Sequence, residues 1–199
     1  MEENKKLNIL MATMQMGFGG AETHIYELCR ALVRGGHTVT VASAGGRYAE
    51  MLERCGIRHV AMPLHTKNPL AVLRCRAALK KLIETEHFDV VHAHARIPAF
   101  ICGSLQKKLH FRFVTTAHWV FRVTPLWKRL ANWGDRQMAV SEDIKQYLVD
   151  NYGQFADNIS VTVNGIDTDG FAPHSDFTAI RDELALSASA HRIVSVSRM

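Results

Sequence analysis

Long apolar runs are missing from this chain of 199 residues. No stretch approaches the roughly 20 apolar residues that a membrane-spanning helix requires, and the apolar stretch near the N-terminus is too short for a signal peptide. None of the four cysteines belongs to a CxxC pair, so their spacing indicates neither a metal site nor a redox motif. We therefore expect free thiols, three of them buried in apolar or helical contexts, in a reducing cytosol.

Internal repeats, low-complexity segments and an extreme of charge are missing as well. The net charge is +5, a moderate excess that suits an anionic substrate, an anionic membrane surface or a nucleic acid without choosing among them. No recognisable nucleic-acid-binding fold accompanies the basic residues. What the chain does have is 47% apolar residues, which is enough for one compact domain with a sizeable core, or somewhat more than one.

Strand and helix patterns alternate along the first part of the chain. This alternation is typical of an α/β fold with a mostly parallel sheet that helices cover on both faces. The apolar and β-branched runs predict strands at residues 8–13, 37–42, 57–61, 89–93, 111–116, 137–140 and 159–163. The apolar stripes at helical spacing predict helices at residues 21–34, 48–54, 69–86, 98–108, 127–132 and 141–151.

The pattern changes after residue 163. The next residues are turn-rich and predict a linker, a polar-apolar helix is expected at 176–186, and the stretch RIVSV at 192–196 predicts a new strand. A strand needs neighbours, so it either joins the edge of the first sheet or opens a second domain, and we favour the second. The expected organisation is a domain at 1–164, a linker and helix at 165–190, and the first strand of a truncated domain at 191–199.

A glycine-rich turn follows the first predicted strand, within the sequence TMQMGFGGAETH. Gly17, Gly19 and Gly20 come directly before a helix N-terminus, where main-chain N–H groups and the positive end of the helix dipole attract anions. Glycine also lets a ligand approach the backbone closely. The turn therefore predicts a site for the phosphate or sugar part of a nucleotide-linked substrate, although a turn needed only for packing would show the same glycines.

Two familiar nucleotide-binding motifs are excluded at this turn. A GxGxxG fingerprint requires a glycine where the chain has Glu22. It also requires an acid at the end of the second strand, where the chain has Ala42, Ser43 and Ala44. A P-loop is excluded because no Lys-Ser/Thr pair follows the glycines. The turn therefore predicts neither an NAD site nor a P-loop.

Histidines and aspartates mark further candidate positions. His92 and His94 lie two apart at a strand end and point to one face, as in a metal-binding pair or a polar pair in a cleft. His118 follows another strand, at the edge where parallel sheets bind ligands; it could bind a hydroxyl or carry a proton, or lie satisfied in the core. Asp167 and Asp169 form a DxD, which can hold a divalent ion against a diphosphate, but their turn-rich context favours turn-forming aspartates.

Residues 121–133 combine basic and aromatic side chains. Arg122, Trp127, Lys128 and Arg129 could lie on an anionic membrane surface. A helix that buries its aromatic residues and solvates its charges would have the same composition. The pattern leaves both interpretations open.

Several segments resemble, in this order, one large family: GGAETHIYELCRALVRGGHTVTVA, FDVVHAHARIPAF, TTAHWVF, AVSEDIKQYL and VTVNGIDTDGFAP. They are similar to the retaining, nucleotide-sugar-dependent glycosyltransferases of family 4, which have the two-domain GT-B architecture. The resemblance covers nearly the whole chain. It implies a Rossmann-like, doubly wound sheet that forms the acceptor-binding half of GT-B, while the other half mainly binds the sugar nucleotide.

The resemblance also implies roles for individual residues. Gly19 and Gly20 would contact the donor diphosphate through main-chain N–H groups, and Arg198 would match an arginine that contacts the same group. His118 would lie beside the transferred sugar and act in catalysis. The remaining site residues, on the acceptor side of the cleft, are Glu22, His94 and Arg96.

The implied reaction transfers a sugar to an acceptor hydroxyl with retention of configuration, and needs neither a divalent metal nor another cofactor. Expected partners are a nucleotide-sugar donor, a lipid-linked or saccharide acceptor and anionic lipid, but no nucleic acid. The protein is expected in the cytoplasm, at the inner face of a bacterial plasma membrane, in the synthesis of cell-envelope polysaccharide. The chain alone is expected to fold without turnover, because half the donor site is missing. The alternatives are a non-catalytic ligand-binding or membrane-docking module with this fold, and a nucleotide-dependent oxidoreductase.

Overall fold

The computed structural model describes residues 5–166, 168 and 178–187. Its centre is a seven-stranded sheet in the order β3-β2-β1-β4-β5-β6-β7. Every pairing is parallel, which confirms the predicted α/β, doubly wound class. The strands are β1 (Asn8–Ala12), β2 (Thr38–Ser43), β3 (Arg58–Ala61), β4 (Val90–Ala93), β5 (Arg112–Ala117), β6 (Arg136–Ala139) and β7 (Ile159–Val161).

Helices occupy the connections between the strands. Together with the strands, they begin and end within two residues of the predicted bounds. They are α1 (Gly20–Arg34), α2 (Arg47–Arg54), α3 (Pro69–Glu86), α4 (Arg96–Leu109), α5 (Pro125–Leu130) and α6 (Glu142–Tyr152), with a 3-10 turn at Ala156–Asn158 before β7.

Alternate residues of the central strand β1 face two separate cores. Leu10 and Ala12 lie in the core that α3 and α4 cover, whereas Ile9 and Met11 lie in the core that α1 and α2 cover. Successive side chains on a strand point to opposite faces, so β1 is buried on both. The predicted helices on both faces are thus confirmed, and a third cluster packs α6 against β6.

The strand order reverses between β1 and β4. From β1 the chain runs outward through β2 and β3 and then returns, so that β4 lies on the other side of β1. In open parallel sheets, such a reversal leaves a crevice outside the carboxyl ends of the two strands, and ligands bind there. The glycine turn follows β1 and His94 follows β4, so both predicted site segments lie at this crevice.

Helix α5 starts and ends two residues earlier than predicted. Thr124 Oγ1 accepts a hydrogen bond from the main-chain N–H of Trp127 at 3.3 Å. Pro125 fits the first helical position because it has no N–H to satisfy there. Helix α4 likewise starts two residues early, at Arg96, which brings this arginine to the carboxyl edge of the sheet.

The C-terminal part of the chain is a separate compact unit. The chain divides into Met1–Gly165 and Ile166–Met199, and a short helix α7 (Thr178–Glu183) lies in the second unit, inside the helix predicted at 176–186. No helix in the described part of the chain is both long enough and apolar enough to cross a membrane. The predictions for Asp167, Asp169, Arg198 and the strand at 192–196 concern residues outside the described part of the chain.

The cysteines match their prediction. All four are free thiols, and Cys29, Cys75 and Cys102 are buried whereas Cys55 is exposed. Burial raises the pKa of Cys29 and of Cys102 to about 12. Thiols of this kind stay protonated and unreactive at neutral pH.

Candidate functional site

The glycine turn after β1 is held in place by the loop after β2. The main-chain N–H of Met16 donates to the carbonyl of Gly45 at 2.9 Å, and that of Tyr48 donates to the carbonyl of Met16 at 2.8 Å. Gly46, at φ +129°, packs so closely that an added Cβ would lie 2.6 Å from the Met16 carbonyl oxygen. Both the positive φ and the close approach require glycine. Main-chain contacts therefore fix the shape of the turn.

Helix α1 begins at Gly20, at the carboxyl edge of the sheet. Its N-cap is Gly19, which has no side chain to cap the helix, and first-turn N–H groups have no acceptor within a helix. A Cβ added at Gly20 would meet nothing within 4 Å, so its main chain is open to a ligand. The predicted anion site thus lies at an accessible helix N-terminus with a favourable dipole.

The Glu22 side chain folds back over Gly19. A Cβ added to Gly19 would clash with Glu22 Oε2. The helix dipole favours an acid in the first turn, but the same carboxylate is a negative charge beside the place predicted for a diphosphate. An anion can therefore bind on the open side at Gly20, or it must displace the Glu22 carboxylate.

Four histidines meet at the crevice and form what we term the histidine cluster: His24, His92, His94 and His118. His92 Nε2 lies 2.7 Å from Thr116 Oγ1, and the rings of His92 and His94 have centroids 4.1 Å apart. His94 Nδ1 lies 3.2 Å from His118 Nε2. His24 of α1 completes the cluster, with its ring centroid 5.1 Å from that of His118. His92 and His94 do share one face, as their spacing predicts.

His24 is a site residue that the sequence patterns did not predict. It lies one turn after Gly20, on the helix that leaves the glycine turn. Residues four apart share one face of a helix, so a histidine at this distance from the turn was the available signal. The sequence alone does not show that this face of α1 is turned toward the crevice.

Burial keeps the histidine cluster uncharged at neutral pH. It lowers the pKa of His92 to about 3 and that of His118 to about 4, and it lowers the pKa of His94 well below the usual value. Neighbouring histidines add to these shifts because like charges repel. Burial also lowers the pKa of His24, while a hydrogen bond with the Asn164 side chain acts in the opposite direction. Each neutral imidazole has one N–H donor and one lone pair.

Three members of the cluster have the geometry to hold a metal ion. One ring nitrogen from each of His24, His94 and His118 lies within 4.8 Å of the other two. His92 instead places Nε2 on Thr116. The sequence suggested His92 and His94 as a metal-binding pair. The structure instead groups His94 with His118, at the end of β5, and with His24 of α1.

Arg96 lies between two aromatic rings at the start of α4. Its guanidinium carbon is 4.3 Å from the ring centroid of Phe121 and 4.8 Å from that of Trp127. Contacts of this kind attract the cation to the ring face and leave Trp127 half-buried. Trp127 was one of the four residues predicted to dock on a membrane. The remaining three, Arg122, Lys128 and Arg129, are exposed.

Apolar side chains near these basic residues also face solvent. Leu126 is 63% exposed and Trp119 is 69% exposed. The segment therefore agrees in part with each of the two interpretations. Trp127 packs inward, as in a helix that buries its aromatic residues, whereas Trp119 and Leu126 are exposed near the charges, as on a membrane-binding surface.

A small pocket opens between the carboxyl ends of β4 and β5. The space it offers to the centres of water-sized molecules is about 20 Å³, comparable with that of one water. His94, Arg96 and Trp133 contribute to its wall. The buried atoms His94 Nε2 and Trp133 Nε1 have no hydrogen-bond partner among the described residues. Unpaired buried polar atoms are costly, so a small polar group in this pocket would be stabilised.

The sequence profile of Glycosyltransferase Family 4 matches residues 18–170, well over half of the chain. The match begins at the glycine turn and includes the whole histidine cluster. No curated protein matches the chain in sequence.

Solved structures share the fold. A glycosyltransferase from Rickettsia africae is 24% identical over 92% of this chain and 51% of its own, with a TM-score of 0.78. HepE from Anabaena, solved in complex with UDP-glucose, is 19% identical over 90% of this chain and 50% of its own, with a TM-score of 0.73. Sucrose-phosphate synthase from Thermosynechococcus elongatus is 14% identical over 92% of this chain and 54% of its own, with a TM-score of 0.70. The chain thus spans about half the length of the structures it resembles, and the likeness confirms the Rossmann-like half of a GT-B fold.

Proposed function

The chain belongs to Glycosyltransferase Family 4, and on that premise we propose that it forms the acceptor-side domain of a retaining glycosyltransferase. The reaction transfers a sugar from a nucleoside-diphosphate sugar to an acceptor hydroxyl, without a metal ion or another cofactor. The observation that carries the proposal is that the glycine turn and His118 both lie at the carboxyl edge of the sheet, where His24, one turn after Gly20, has its ring centroid 5.1 Å from that of His118. The turn offers N–H donors to a diphosphate, and His118 offers an uncharged imidazole to a sugar.

The donor diphosphate binds at Gly19 and Gly20 in this proposal. Main-chain N–H groups and the dipole of α1 stabilise the negative charge that builds on the leaving diphosphate. A second Rossmann-like domain provides the other wall of the site, and the family resemblance assigns Arg198, outside the described residues, to the same diphosphate. The complex of HepE with UDP-glucose supports a sugar nucleotide as donor. Because two negative charges in contact repel, Glu22 turns away from Gly19 when the donor binds.

His118 hydrogen-bonds a hydroxyl of the transferred sugar in this proposal. Its pKa of about 4 keeps the ring uncharged at neutral pH, so one ring nitrogen donates and the other accepts. An uncharged ring also avoids placing a positive charge beside the sugar, where positive charge develops in an oxocarbenium-like transition state. His118 thus orients the sugar, and it is not a proton carrier at this pH.

The acceptor enters on the β4–β5 side, where His94 and Arg96 line the small pocket. His94 Nε2 is buried and has no partner among the described residues, so an acceptor hydroxyl that entered the pocket would satisfy it. The positive charge of Arg96 suits the phosphate of a lipid-linked acceptor, and a saccharide acceptor would use the same polar atoms. Closure of the second domain would exclude water, which otherwise hydrolyses the donor.

The exposed basic segment brings the protein to a membrane in this proposal. Arg122, Lys128 and Arg129 attract anionic lipid, and the exposed Trp119 and Leu126 insert at the interface. On this proposal the enzyme acts in the cytoplasm, at the inner face of a bacterial plasma membrane, with a role in cell-envelope polysaccharide synthesis and without a nucleic-acid partner.

The test of the reaction uses the parent protein with both domains and a panel of nucleoside-diphosphate sugars. We expect one donor to give release of nucleoside diphosphate when the acceptor is present. His118→Ala is expected to lower the rate by about 100-fold or more, the scale of a lost transition-state contact. The matched control is His65→Ala, an exposed histidine, which should leave the rate unchanged. Binding of a donor without any release by the parent protein would favour the non-catalytic module instead.

Membrane docking has its own test, by pelleting with vesicles that contain or lack anionic lipid. We expect pelleting with the anionic vesicles, and a loss of about tenfold or more when Lys128→Gln and Arg129→Gln are combined, because each basic residue near the surface contributes about 1 kcal/mol. The pair Lys107→Gln and Lys108→Gln removes the same charge from exposed positions on α4 and is the control. An equal loss in the two double variants would remove the assignment of this surface.

A further inference from the structure

We propose that His24, His94 and His118 together bind a divalent transition-metal ion, with Zn²⁺ as the ion that fits them best. The three side chains come from three elements: α1, the end of β4 and the end of β5. One ring nitrogen of each lies within 4.8 Å of the other two. The proposal does not rest on the transfer reaction, which needs no metal, but it uses two of the same side chains, so a bound ion would compete with the sugar for His118 and with the acceptor for His94.

The closest pair of nitrogens already has the separation that a shared ion requires. Zn²⁺ binds histidine nitrogen at about 2.0–2.1 Å in a tetrahedral arrangement, which places two ligand nitrogens about 3.3 Å apart. His94 Nδ1 and His118 Nε2 are 3.2 Å apart. A hydrogen bond between the two rings would give a similar distance, so this pair alone does not define a site. The third histidine within reach is the feature that goes beyond such a hydrogen bond.

His24 completes the set, because one of its ring nitrogens lies within 4.8 Å of the ligand nitrogens of the other two histidines. It lies on the first turns of α1, half-buried at the crevice, and its ring centroid is 5.1 Å from that of His118. The Asn164 side chain is near enough to raise the pKa of His24. Metal-ligating histidines ordinarily hydrogen-bond through the second ring nitrogen, which orients the ring, and Asn164 is the candidate partner for that nitrogen.

The chemistry of the ligand set selects the metal. Three imidazoles without a carboxylate oxygen suit Zn²⁺, Cu²⁺ or Ni²⁺, whereas Mg²⁺ and Ca²⁺ prefer oxygen ligands. His24 and His118 are half-buried while His94 is buried, so the fourth tetrahedral position faces the crevice and is open to water or a ligand oxygen. Three histidines with one open position are a common zinc arrangement.

Only the uncharged imidazole is a ligand. In each of the three rings the proton must then lie on the nitrogen that faces away from the ion, so an ion would replace the contact between His94 Nδ1 and His118 Nε2. His92 does not belong to the set, because its Nε2 lies 2.7 Å from Thr116 Oγ1. The ring of His92 instead packs against that of His94, with the centroids 4.1 Å apart.

The experiment titrates ZnCl₂ into the 199-residue chain by isothermal calorimetry, with no sugar nucleotide present. The chain carries no polyhistidine tag and is first treated with a chelator. Because exposed thiols also bind zinc, every protein in the series carries Cys55→Ser, which removes the exposed cysteine. We expect one equivalent of Zn²⁺ to bind and no heat of binding with MgCl₂. Co²⁺ in place of Zn²⁺ should give the intense visible absorption of a tetrahedral ion.

Two variants identify the ligands. His24→Gln and His118→Gln are each expected to weaken Zn²⁺ binding by at least about tenfold, and circular dichroism checks that they fold. His65→Gln, at an exposed position, is the matched control and should bind as the parent does. Absence of stoichiometric binding, or equal binding by the His24→Gln, His118→Gln and His65→Gln proteins, would overturn the proposal whatever the outcome of the transfer assay.

Discussion

Main-chain contacts form one side of the crevice, and side-chain contacts form the other. On the β1–β2 side, main-chain hydrogen bonds between Met16, Gly45 and Tyr48 hold the glycine turn. On the β4–β5 side, the wall consists of side chains: the members of the histidine cluster that β4 and β5 position, and Arg96 with its two aromatic rings. The first side depends on which backbone conformations are allowed, and the second depends on burial and charge. Substitutions and pH should therefore act on the two sides in different ways.

The largest loss of stability is expected at Gly46, where the backbone conformation and the close packing both require glycine. Gly46→Ala places a Cβ 2.6 Å from the Met16 carbonyl oxygen, at φ +129°, so the loop must shift. We expect the free energy of unfolding to fall by about 2–5 kcal/mol, the combined scale of backbone strain and overpacking. Urea denaturation monitored by circular dichroism measures it.

A substitution at the neighbouring Gly45 separates the cost of backbone strain from the cost of a steric clash. Gly45 also has a positive φ, +89°, but a Cβ added there would meet nothing within 4 Å. Gly45→Ala should therefore show the strain alone, about 1 kcal/mol. If both variants lose the same stability, the close approach to Met16 is not what holds the turn.

The histidine side should respond to pH instead. The pKa values of His92 and His118 are about 3 and 4 in the folded protein, whereas an unfolded histidine has a pKa near 6.5. Between those values the unfolded chain binds more protons than the folded one, so stability is fully present above pH 6.5 and falls as the pH falls below it. Each such proton contributes about 1.4 kcal/mol per pH unit. The melting temperature should thus drop by several degrees between pH 7.5 and pH 5.

A variant and a control assign this pH dependence. His92→Gln removes one of the buried groups, so its stability should fall less steeply below pH 6.5 than that of the parent. His65→Gln changes an exposed histidine and should keep the parent slope. A melting temperature that stays level from pH 7.5 to pH 5 would contradict the uncharged cluster.

The backbone side of this comparison was predictable because its signals are local. The glycines at 17, 19 and 20 follow a short apolar run and precede an amphipathic helix, and these neighbours in sequence are neighbours in the turn. The cap at Thr124 with Pro125 was an equally local signal, and using it would have given the correct start of α5. Strand and helix bounds follow from the same local periodicities.

The side-chain wall was predictable only in part because it depends on strand order. Placing His94 and His118 at carboxyl strand ends required only the alternation of elements. Their contact at 3.2 Å requires in addition that β4 and β5 are neighbours. The inclusion of His24 depends on the rotation of α1 about its axis, and the inward packing of Trp127 depends on Arg96. Such facts arise from tertiary packing, which no local pattern encodes.

A moderate effect is expected where charge and aromatic rings meet. Arg96→Gln removes the cation from between Phe121 and Trp127 and should lower the free energy of unfolding by about 1–2 kcal/mol. Because Trp127 then becomes more exposed, its fluorescence should shift to the red. Arg122→Gln, at an exposed position, is the control, and an equal loss there would mean that the aromatic contacts do not stabilise this wall.

The smallest effect is expected from a side-chain contact between α1 and α2, the helices that follow the glycine turn and the loop after β2. Thr23 Oγ1 lies 2.9 Å from the Tyr48 hydroxyl, but Thr23 is exposed and water can replace either partner. A double-mutant cycle with Thr23→Val and Tyr48→Phe should therefore give a coupling free energy of about 0.5 kcal/mol or less by urea denaturation. A coupling several times larger would mean that side chains hold the glycine turn as well, and the contrast between the two walls of the crevice would then be lost.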